Sequence, residues 1–161
     1  MQIRPATPDD HDAIWAILAP ICAAGEVFCV PRDGGRDAAF EYWFAGRGRE
    51  VFVAETPDGI LGTSYLRPNQ PGGGAHVANA GYATAPAAQG KGIARALLAH
   101  SLDTARARGF RAMQFNFVVA SNTRAVATWE AAGFTVAGRL PGAFAHPRLG
   151  FVDALVMHRE L

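Results

Sequence analysis

The stretch from Gly81 to Leu98, GYATAPAAQGKGIARALL, determines which fold the rest of the chain can adopt. Residues 82–84 are typical of a strand, and Pro86 stops that strand because proline cannot donate to a sheet ladder. A glycine-containing loop follows, and from Ile93 onwards the apolar residues recur near the 3.6-residue period of an amphipathic helix. The predicted apolar stripe consists of Ile93, Leu97, Leu98, Leu102 and Ala105. We therefore predict a strand, a tight loop and a helix N-terminus in direct succession.

This succession predicts a binding site for an anion. The first N–H groups of a helix have no intrahelical partner, and the helix dipole adds partial positive charge there. Gly90 and Gly92 permit a positive φ and let a bulky anion approach the backbone. The predicted ligand is a phosphate group. A dinucleotide fingerprint would require glycine in place of Arg95, and a P-loop would require glycine in place of Ala85 and a hydroxyl residue in place of Gly92.

A second informative segment is Asn122–Phe134, NTRAVATWEAAGF. It follows a strand predicted over Arg111–Val119, which is apolar on both faces, as a buried parallel strand is. Ser121 and Asn122 are suited to cap the start of a helix, and Gly133 is suited to the position just after its end. This segment therefore predicts a capped helix that packs next to the buried strand.

These two segments resemble the signature sequences of the GNAT N-acetyltransferase family. Residues 89–94, QGKGIA, are similar to the family's Q/R-x-x-G-x-G/A loop, and residues 122–134 are similar to its N-x-x-A-x-x-x-Y-x-x-x-G-F motif. The two motifs occur in the order that the family has. The resemblance covers most of the chain, is strong from Val51 to Phe134, and includes a likeness to phosphinothricin-type acetyltransferases.

The resemblance implies an α/β fold with a mixed, mostly antiparallel sheet of six or seven strands, flanked by helices and splayed between the fourth and fifth strands. It implies a single N-acetyltransferase domain over residues 1–161, acetyl-CoA as co-substrate, and no metal. The amides of residues 89–94 would hold the pyrophosphate, residues 82–84 would contact the acetyl-pantetheine, and Asn122 would orient the pantetheine. The cofactor-binding residues are thus predicted to be Tyr82, Ala83, Thr84, Gln89, Gly90, Lys91, Gly92, Ile93, Ala94, Asn122 and Trp129.

Trp129 departs from the family pattern, which usually has tyrosine at this position. In the family that tyrosine is the usual candidate for protonating the departing thiolate of CoA. An indole N–H donates hydrogen bonds but is no practical acid, so this role is not carried over. A thiol has a pKa of about 8.5, so water can protonate the thiolate instead. We interpret Trp129 as a packing residue or as a wall of the pantetheine channel.

Three polar residues are candidates for catalytic or acceptor-binding roles. Asn116 interrupts a strand, and its amide must be satisfied either by a neighbouring strand end or by a ligand. Asn79 lies in the strand predicted over Ala75–Thr84. Glu26 would either hold the amine or remain a solvated loop carboxylate. A water chain that touches His76, Asn79 or Glu26 could remove the proton of the amine, and the sequence does not assign the base.

The remaining elements follow from hydrophobic periodicity and turn residues. Before the phosphate loop we predict a strand over residues 1–6, helices over 8–24 and 36–44, strands over 51–55 and 60–66, and an irregular loop over 67–74. After Phe134 we predict a strand that ends at Leu140, a surface loop over residues 141–150 and a last strand over 151–159. Asp153 interrupts that last strand and is predicted to form a structural ion pair.

Composition limits the classes of partner. The 161 residues carry a formal net charge of +1, so charge gives no reason to expect nucleic acid or a membrane surface as partner. Cys22 and Cys29 form no metal or redox motif, and no signal peptide or spanning segment is visible, which predicts a cytoplasmic location.

The combined reading is an acetyl-CoA-dependent N-acetyltransferase that acts on the primary amine of a small molecule, either an amino acid or an analogue. The sequence leaves open whether the protein forms a homodimer. Two alternatives also stay open: a catalytically silent CoA-binding sensor or interaction module, and an acetyltransferase for protein or peptide N-termini.

Overall fold

A computed structural model describes residues 1–88 and 90–161, which form one sheet flanked by helices. The helices are α1 (His11–Ala24), α2 (Gly35–Phe44), α3 (Ile93–Ala107) and α4 (Thr123–Ala131). The strands are β1 (Gln2–Pro5), β2 (Glu50–Thr56), β3 (Gly59–Pro68), β4 (Val77–Thr84), β5 (Ala112–Val119), β6 (Thr135–His146) and β7 (Gly150–Glu160).

The strand order within the sheet is β1-β2-β3-β4-β5-β7-β6. All neighbouring strands in the described residues are antiparallel except β4 and β5, which run parallel. The chain makes this parallel connection through α3, as a crossover between parallel strands requires. The predicted α/β fold with a mixed, mostly antiparallel sheet is confirmed.

Two hydrophobic layers lie on opposite faces of the sheet. Phe52 on β2 belongs to the cluster that includes Leu98 of α3, and its neighbour Val53 belongs to the cluster that includes Trp43 of α2. Successive strand residues point to opposite faces, so α1 and α2 cover one face while α3 and α4 cover the other. All five residues of the predicted α3 stripe are buried, which confirms the helical period.

Two boundaries near the centre of the sheet differ from the sequence prediction. Strand β3 continues to Pro68, so Arg67 lies in a strand and not in the predicted loop. Strand β4 begins at Val77, which leaves His76 outside the strand. Register explains the first difference, because Arg67 pairs with Asn79 and Pro68 pairs with Ala78 across the β3–β4 ladder.

The surface loop predicted over residues 141–150 is wrong for its first part, because β6 continues to His146. Pro141 and Gly142 lie in a bulge, where the register with β7 shifts between Leu140 and Phe144. The Asp153 carboxylate stabilises this bulge by accepting a hydrogen bond from the Gly142 amide at 2.9 Å and by pairing with Arg139 at 2.9 Å. The structural ion pair predicted for Asp153 is therefore confirmed, and turn-forming residues here form a bulge within a strand.

The position of α3 depends on a close approach to β3 at Gly62. A Cβ atom built at Gly62 would lie 2.6 Å from Cγ2 of Ile93 and 2.9 Å from Cδ1 of Leu97. Both distances are shorter than van der Waals contact, so only glycine lets the first turns of α3 pack at this depth.

We expect Gly62→Ala to lower the free energy of unfolding by about 1 to 3 kcal/mol, because the added methyl group overpacks the contact with α3. Urea denaturation measures the change. Gly138→Ala is the matched control, since a Cβ at this strand glycine would meet no atom within 4 Å. Equal stability of the two variants would contradict this account of α3 packing.

Candidate active site

The centre of the sheet opens between β4 and β5. Ladder pairing joins these strands at two positions, Val77 with Ala112 and Ala78 with Met113. Beyond them no ladder pair joins the two strands in the described residues, so the predicted splay between the fourth and fifth strands is confirmed. The Nδ2 atom of Asn79 donates to the Gln114 carbonyl at 2.9 Å, which closes the narrow end of the gap.

The loop before α3 has the backbone conformation expected of an anion site. Gly90 and Gly92 adopt φ values of 78° and 77°, the positive range that glycine permits at these positions. The first helical hydrogen bond runs from the Ala96 amide to the Gly92 carbonyl at 3.0 Å. The amides of residues 94 and 95 have no backbone acceptor among the described residues, and they lie at the N-terminus of α3. Gln89, also predicted to contact the cofactor, lies outside the described residues.

A cleft of about 490 Å³ lies against this helix terminus. Its lining comes from the loop, the first turn of α3 and one side of α4, and includes Thr84, Gly90, Gly92, Ile93, Ala94, Arg95, Arg124 and Thr128. Two arginines and no carboxylate are among the described lining residues. Lys91 and Ala83 belong to the same segment but do not line the cleft. The cleft thus combines unpaired helix amides with positive side chains.

Asn122 and Trp129 place α4 against the gap. The Oδ1 atom of Asn122 accepts a hydrogen bond from the Ala125 amide at 3.3 Å, so the side chain caps α4. The Trp129 ring packs against Tyr82 at 5.1 Å and against Phe115 at 5.2 Å between ring centroids. Trp129 joins residues from both sides of the gap, as a packing residue or channel wall would.

Tyr82 is a poor substitute for the tyrosine that the family has at position 129. Burial raises the pKa of its phenol above the ordinary value, which makes the group a weaker acid. Its hydroxyl group lies 3.9 Å from the sulfur of Met113, inside the core. The Tyr82 ring therefore forms a wall of the gap, and its hydroxyl is directed at the Met113 side chain.

A second cavity, of about 540 Å³, lies on the side of the gap away from the loop. We call it the acceptor cavity. It is lined by α2, the loop after α2, and the facing parts of β3, β4 and β5, including Glu41, Tyr42, Arg49, Tyr65, Arg67, Asn79, Asn116 and Phe117. The two cavities share the lining residues Tyr82, Asn122, Ala125 and Trp129, so they meet where β4 and β5 separate.

Asn116 lies at the wall of the acceptor cavity and is also satisfied by protein groups. Its Oδ1 atom accepts from Gln114 Nε2 at 2.9 Å, and its Nδ2 atom donates to Asn69 Oδ1 at 2.6 Å. Asn116 and Phe117 together oppose one residue of β7, which is a β-bulge beside the site. Both readings that the sequence left open, a strand-end partner and contact with a ligand, therefore remain compatible with the position of Asn116.

Asn79 and Glu26 have different surroundings. Asn79 is buried, lines the acceptor cavity, and accepts a hydrogen bond from Arg67 Nε at 3.2 Å. Glu26 forms an ion pair with Arg148 at 2.7 Å and does not line the cavity. The sequence predicts catalytic or acceptor-binding roles for Asn79, Asn116 and Glu26. Of these three, the structure places Asn79 and Asn116 at the acceptor cavity.

Sequence reasoning did not single out Arg49, Tyr65 and Arg67, which form one wall of the acceptor cavity. Tyr65 and Arg67 are two residues apart on β3, and this spacing could have shown that they share a face. Which face meets the cavity follows from the position of α2, which the spacing does not give. Among the described residues, no helix is long and apolar enough to cross a bilayer, and no group of three or more His, Cys, Asp or Glu residues could hold a metal ion.

Comparison with known proteins identifies the family. The sequence pattern of the acetyltransferase (GNAT) family matches residues 14–134 of this chain. The N-acetyltransferase aca1 of Schizosaccharomyces pombe is 38% identical over 101 residues, which cover 60% of this chain and 47% of that protein. The chain thus spans about half the length of this curated relative.

Solved structures share the fold over nearly the whole chain. A GCN5-related N-acetyltransferase from Kribbella flavida is 42% identical, with a TM-score of 0.92 and coverage of 99% of this chain and 97% of that one. The protein yncA of Salmonella typhimurium, solved with its cofactor acetyl-CoA, is 25% identical, with a TM-score of 0.84 and coverage of 100% and 94%.

A phosphinothricin acetyltransferase from Sinorhizobium meliloti, solved in complex with AcCoA, has the same fold. It is 23% identical, with a TM-score of 0.84, and the match covers 99% of this chain and 88% of that one. The sequence signatures, the splayed sheet and the family match agree with one another. The chain therefore belongs to the acetyltransferase (GNAT) family.

Proposed function

We propose that this protein transfers the acetyl group of acetyl-CoA to the primary amine of a small molecule, of the amino-acid class or an analogue. The observation that carries the proposal is the junction of two cavities at the separation of β4 and β5, where they share Tyr82, Asn122 and Trp129. A reaction between two bound substrates needs two sites that meet at the reacting atoms, because positioning supplies much of the rate.

The residues around the loop fit the diphosphate of acetyl-CoA. A Cβ atom at Gly90 or Gly92 would meet nothing within 4 Å, so the backbone is open to a ligand at both positions. The amides of residues 94 and 95 and the Arg95 side chain would supply donors for two phosphates, and Arg124 adds positive charge to the cleft. Trp129 and Asn122 would then border the pantetheine as it enters the gap.

When bound, acetyl-CoA supplies a thioester carbonyl that an amine nitrogen attacks, with formation of the amide C–N bond and release of the CoA thiolate. The chain contributes the positions of the two substrates and polar side chains that line the acceptor cavity. The thiolate needs no dedicated acid, since a thiol with a pKa of about 8.5 is a fair leaving group. Asn79 and Asn116 line the acceptor side, where water bound to their amides would take the proton of the amine.

The size of the acceptor cavity favours a small molecule over a protein terminus. Its volume of about 540 Å³ lies within the range of small-molecule sites, which is roughly 300 to 1,000 Å³. A peptide would instead need an extended groove, and an acidic one if it attracts the positive N-terminus. The charged side chains that line this cavity include two arginines and one glutamate.

The proposal is tested by incubating the protein with acetyl-CoA and a panel of small amines and peptides, and by measuring the CoA released. Release of CoA with small amines, and formation of the acetylated amine, is the expected result. Release with peptides alone would replace the proposal with N-terminal acetylation. Tight binding of acetyl-CoA without release for any amine would replace it with a silent sensor.

Gly92→Val should raise the dissociation constant of CoA by about tenfold or more, because the side chain blocks a backbone site for charge-assisted hydrogen bonds. Isothermal calorimetry measures the change. Gly109→Val is the matched control: Gly109 lies just past the other end of α3, also has open space around its Cβ, and has a similar φ of 81°. The same backbone strain at Gly109 should leave CoA binding unchanged. Equal losses in the two variants would argue against the loop as the diphosphate site.

Trp129→Phe should leave kcat within a few-fold of the wild-type value, because phenylalanine keeps an aromatic wall against Tyr82 and Phe115. Steady-state kinetics with a saturating amine measures kcat, and calorimetry checks CoA binding separately. If kcat collapsed while CoA still bound, the indole N–H would have a role in the chemistry that packing does not explain.

A further inference from the structure

The wall of the acceptor cavity formed by Arg49, Tyr65 and Arg67 has an unusual arrangement of charge. Tyr65 and Arg67 project from the same face of β3, and the guanidinium carbon of Arg49 lies 4.3 Å from the centre of the Tyr65 ring. Stacking on an aromatic ring fixes the plane of a guanidinium group. Two guanidinium groups thus border the same cavity, and that of Arg49 lies on an aromatic support.

Each guanidinium donates one hydrogen bond to the described residues, which leaves part of its donor capacity unused. Arg49 donates from Nη1 to the Tyr42 carbonyl, while its buried Nε has no acceptor among the described residues. Arg67 donates from Nε to Asn79 Oδ1 at 3.2 Å. An arginine side chain has five N–H donors, and a buried donor without an acceptor is costly.

No carboxylate in the described chain forms an ion pair with Arg49 or Arg67, whereas Arg4, Arg108 and Arg139 are all paired. Glu41 is the carboxylate among the described lining residues of the cavity, and its side chain is exposed. Burial is the main cause that lowers the pKa of Arg49; the charge of Arg67 acts in the same direction, and Tyr65, Tyr42 and Glu41 act against it. Two like charges at one cavity would be stabilised by an anion that enters it.

A purely structural role accounts for part of this arrangement. The bond from Arg49 to the Tyr42 carbonyl satisfies a group at the C-terminal end of α2, where a positive charge is favourable. It does not explain why two arginines, neither in an ion pair with a described carboxylate, line the same cavity. A ligand carboxylate accounts for that arrangement.

We propose that Arg49 and Arg67 bind a carboxylate of the acceptor, so that this enzyme selects amines that carry a carboxylate. The inference rests on the proposed function, because it names the chemistry that the acceptor cavity recognises. Asn79 is a positioning residue here, because its Oδ1 atom accepts a hydrogen bond from Arg67 and its Nδ2 atom donates one to the Gln114 carbonyl of β5. The carboxylate would thus be held at a fixed distance from the gap where the amine must react.

The test compares L-amino acids with their primary amides, which keep the amine and lose the carboxylate charge. The measured quantity is the ratio of kcat/KM for each acid to kcat/KM for its amide. The amines of an acid and its amide differ in pKa, and this difference cancels when the ratio is compared between variants. Wild-type enzyme is expected to prefer the acids.

Arg49→Gln and Arg67→Gln should each lower this ratio by about 10- to 100-fold, as expected for loss of a hydrogen-bonded charge. The effect should appear in KM for the acid, while KM for acetyl-CoA stays unchanged. Arg47→Gln is the matched control, because Arg47 is exposed in the same loop and does not line the cavity. Arg67→Gln also serves if Arg49→Gln fails to fold, since Arg67 does not hold α2.

Unchanged ratios in both variants, with amines still acetylated, would overturn the carboxylate site and leave the proposed function intact. If no amine is acetylated, calorimetry with CoA and the same amino acids decides the matter. Binding of the acids but not the amides, lost in Arg67→Gln, would support the site while the proposed function falls. Absence of any such preference in binding would overturn both.

Discussion

The hydrogen bond from the Asn79 side chain to the Gln114 carbonyl marks the point on which the rest of the site depends. It lies directly after the two residue pairs that join β4 to β5, and beyond it the strands separate. A backbone carbonyl buried without a donor is costly, so a parallel sheet cannot simply open. The buried Asn79 carboxamide replaces the missing ladder bond and lets the gap begin.

The two sides of that gap are held by different means. On the loop side, α3 packs deeply on β3 at Gly62, and its N-terminal amides are fixed by that contact. On the acceptor side, the aromatic rings of Trp43, Tyr65 and Phe28 support the wall, with Trp43 and Tyr65 5.1 Å apart between centroids. The cleft at the N-terminus of α3 thus depends on backbone groups, and the acceptor cavity depends on side chains.

Much of the fold follows from sequence, because its determinants are local. The α3 stripe, Gly90 and Gly92 with positive φ, and the cap at Asn122 are short-range patterns that local physics specifies. The sequence predicts a loop at Pro141 and Gly142, where the structure has a bulge, because the Asp153 side chain that stabilises the bulge lies on the neighbouring strand. Arg49 was missed for the same reason: its position over Tyr65 is set by how β2 and β3 pair and by where α2 ends.

This difference bears on how acceptor choice is encoded. The described parts of the signature segments, residues 90–94 and 122–134, border the cleft proposed for acetyl-CoA, and they carry little information about the second substrate. Arg49 and Arg67 lie outside both segments, on the other wall of the gap. Asn79 connects the two walls, since one carboxamide contacts Arg67 and β5 together. The Asn79 side chain, which bonds to β5 where the sheet opens, therefore also positions the guanidinium group of Arg67. In the proposed reaction, one residue thus helps to set both the position of the gap and the charge that selects the acceptor.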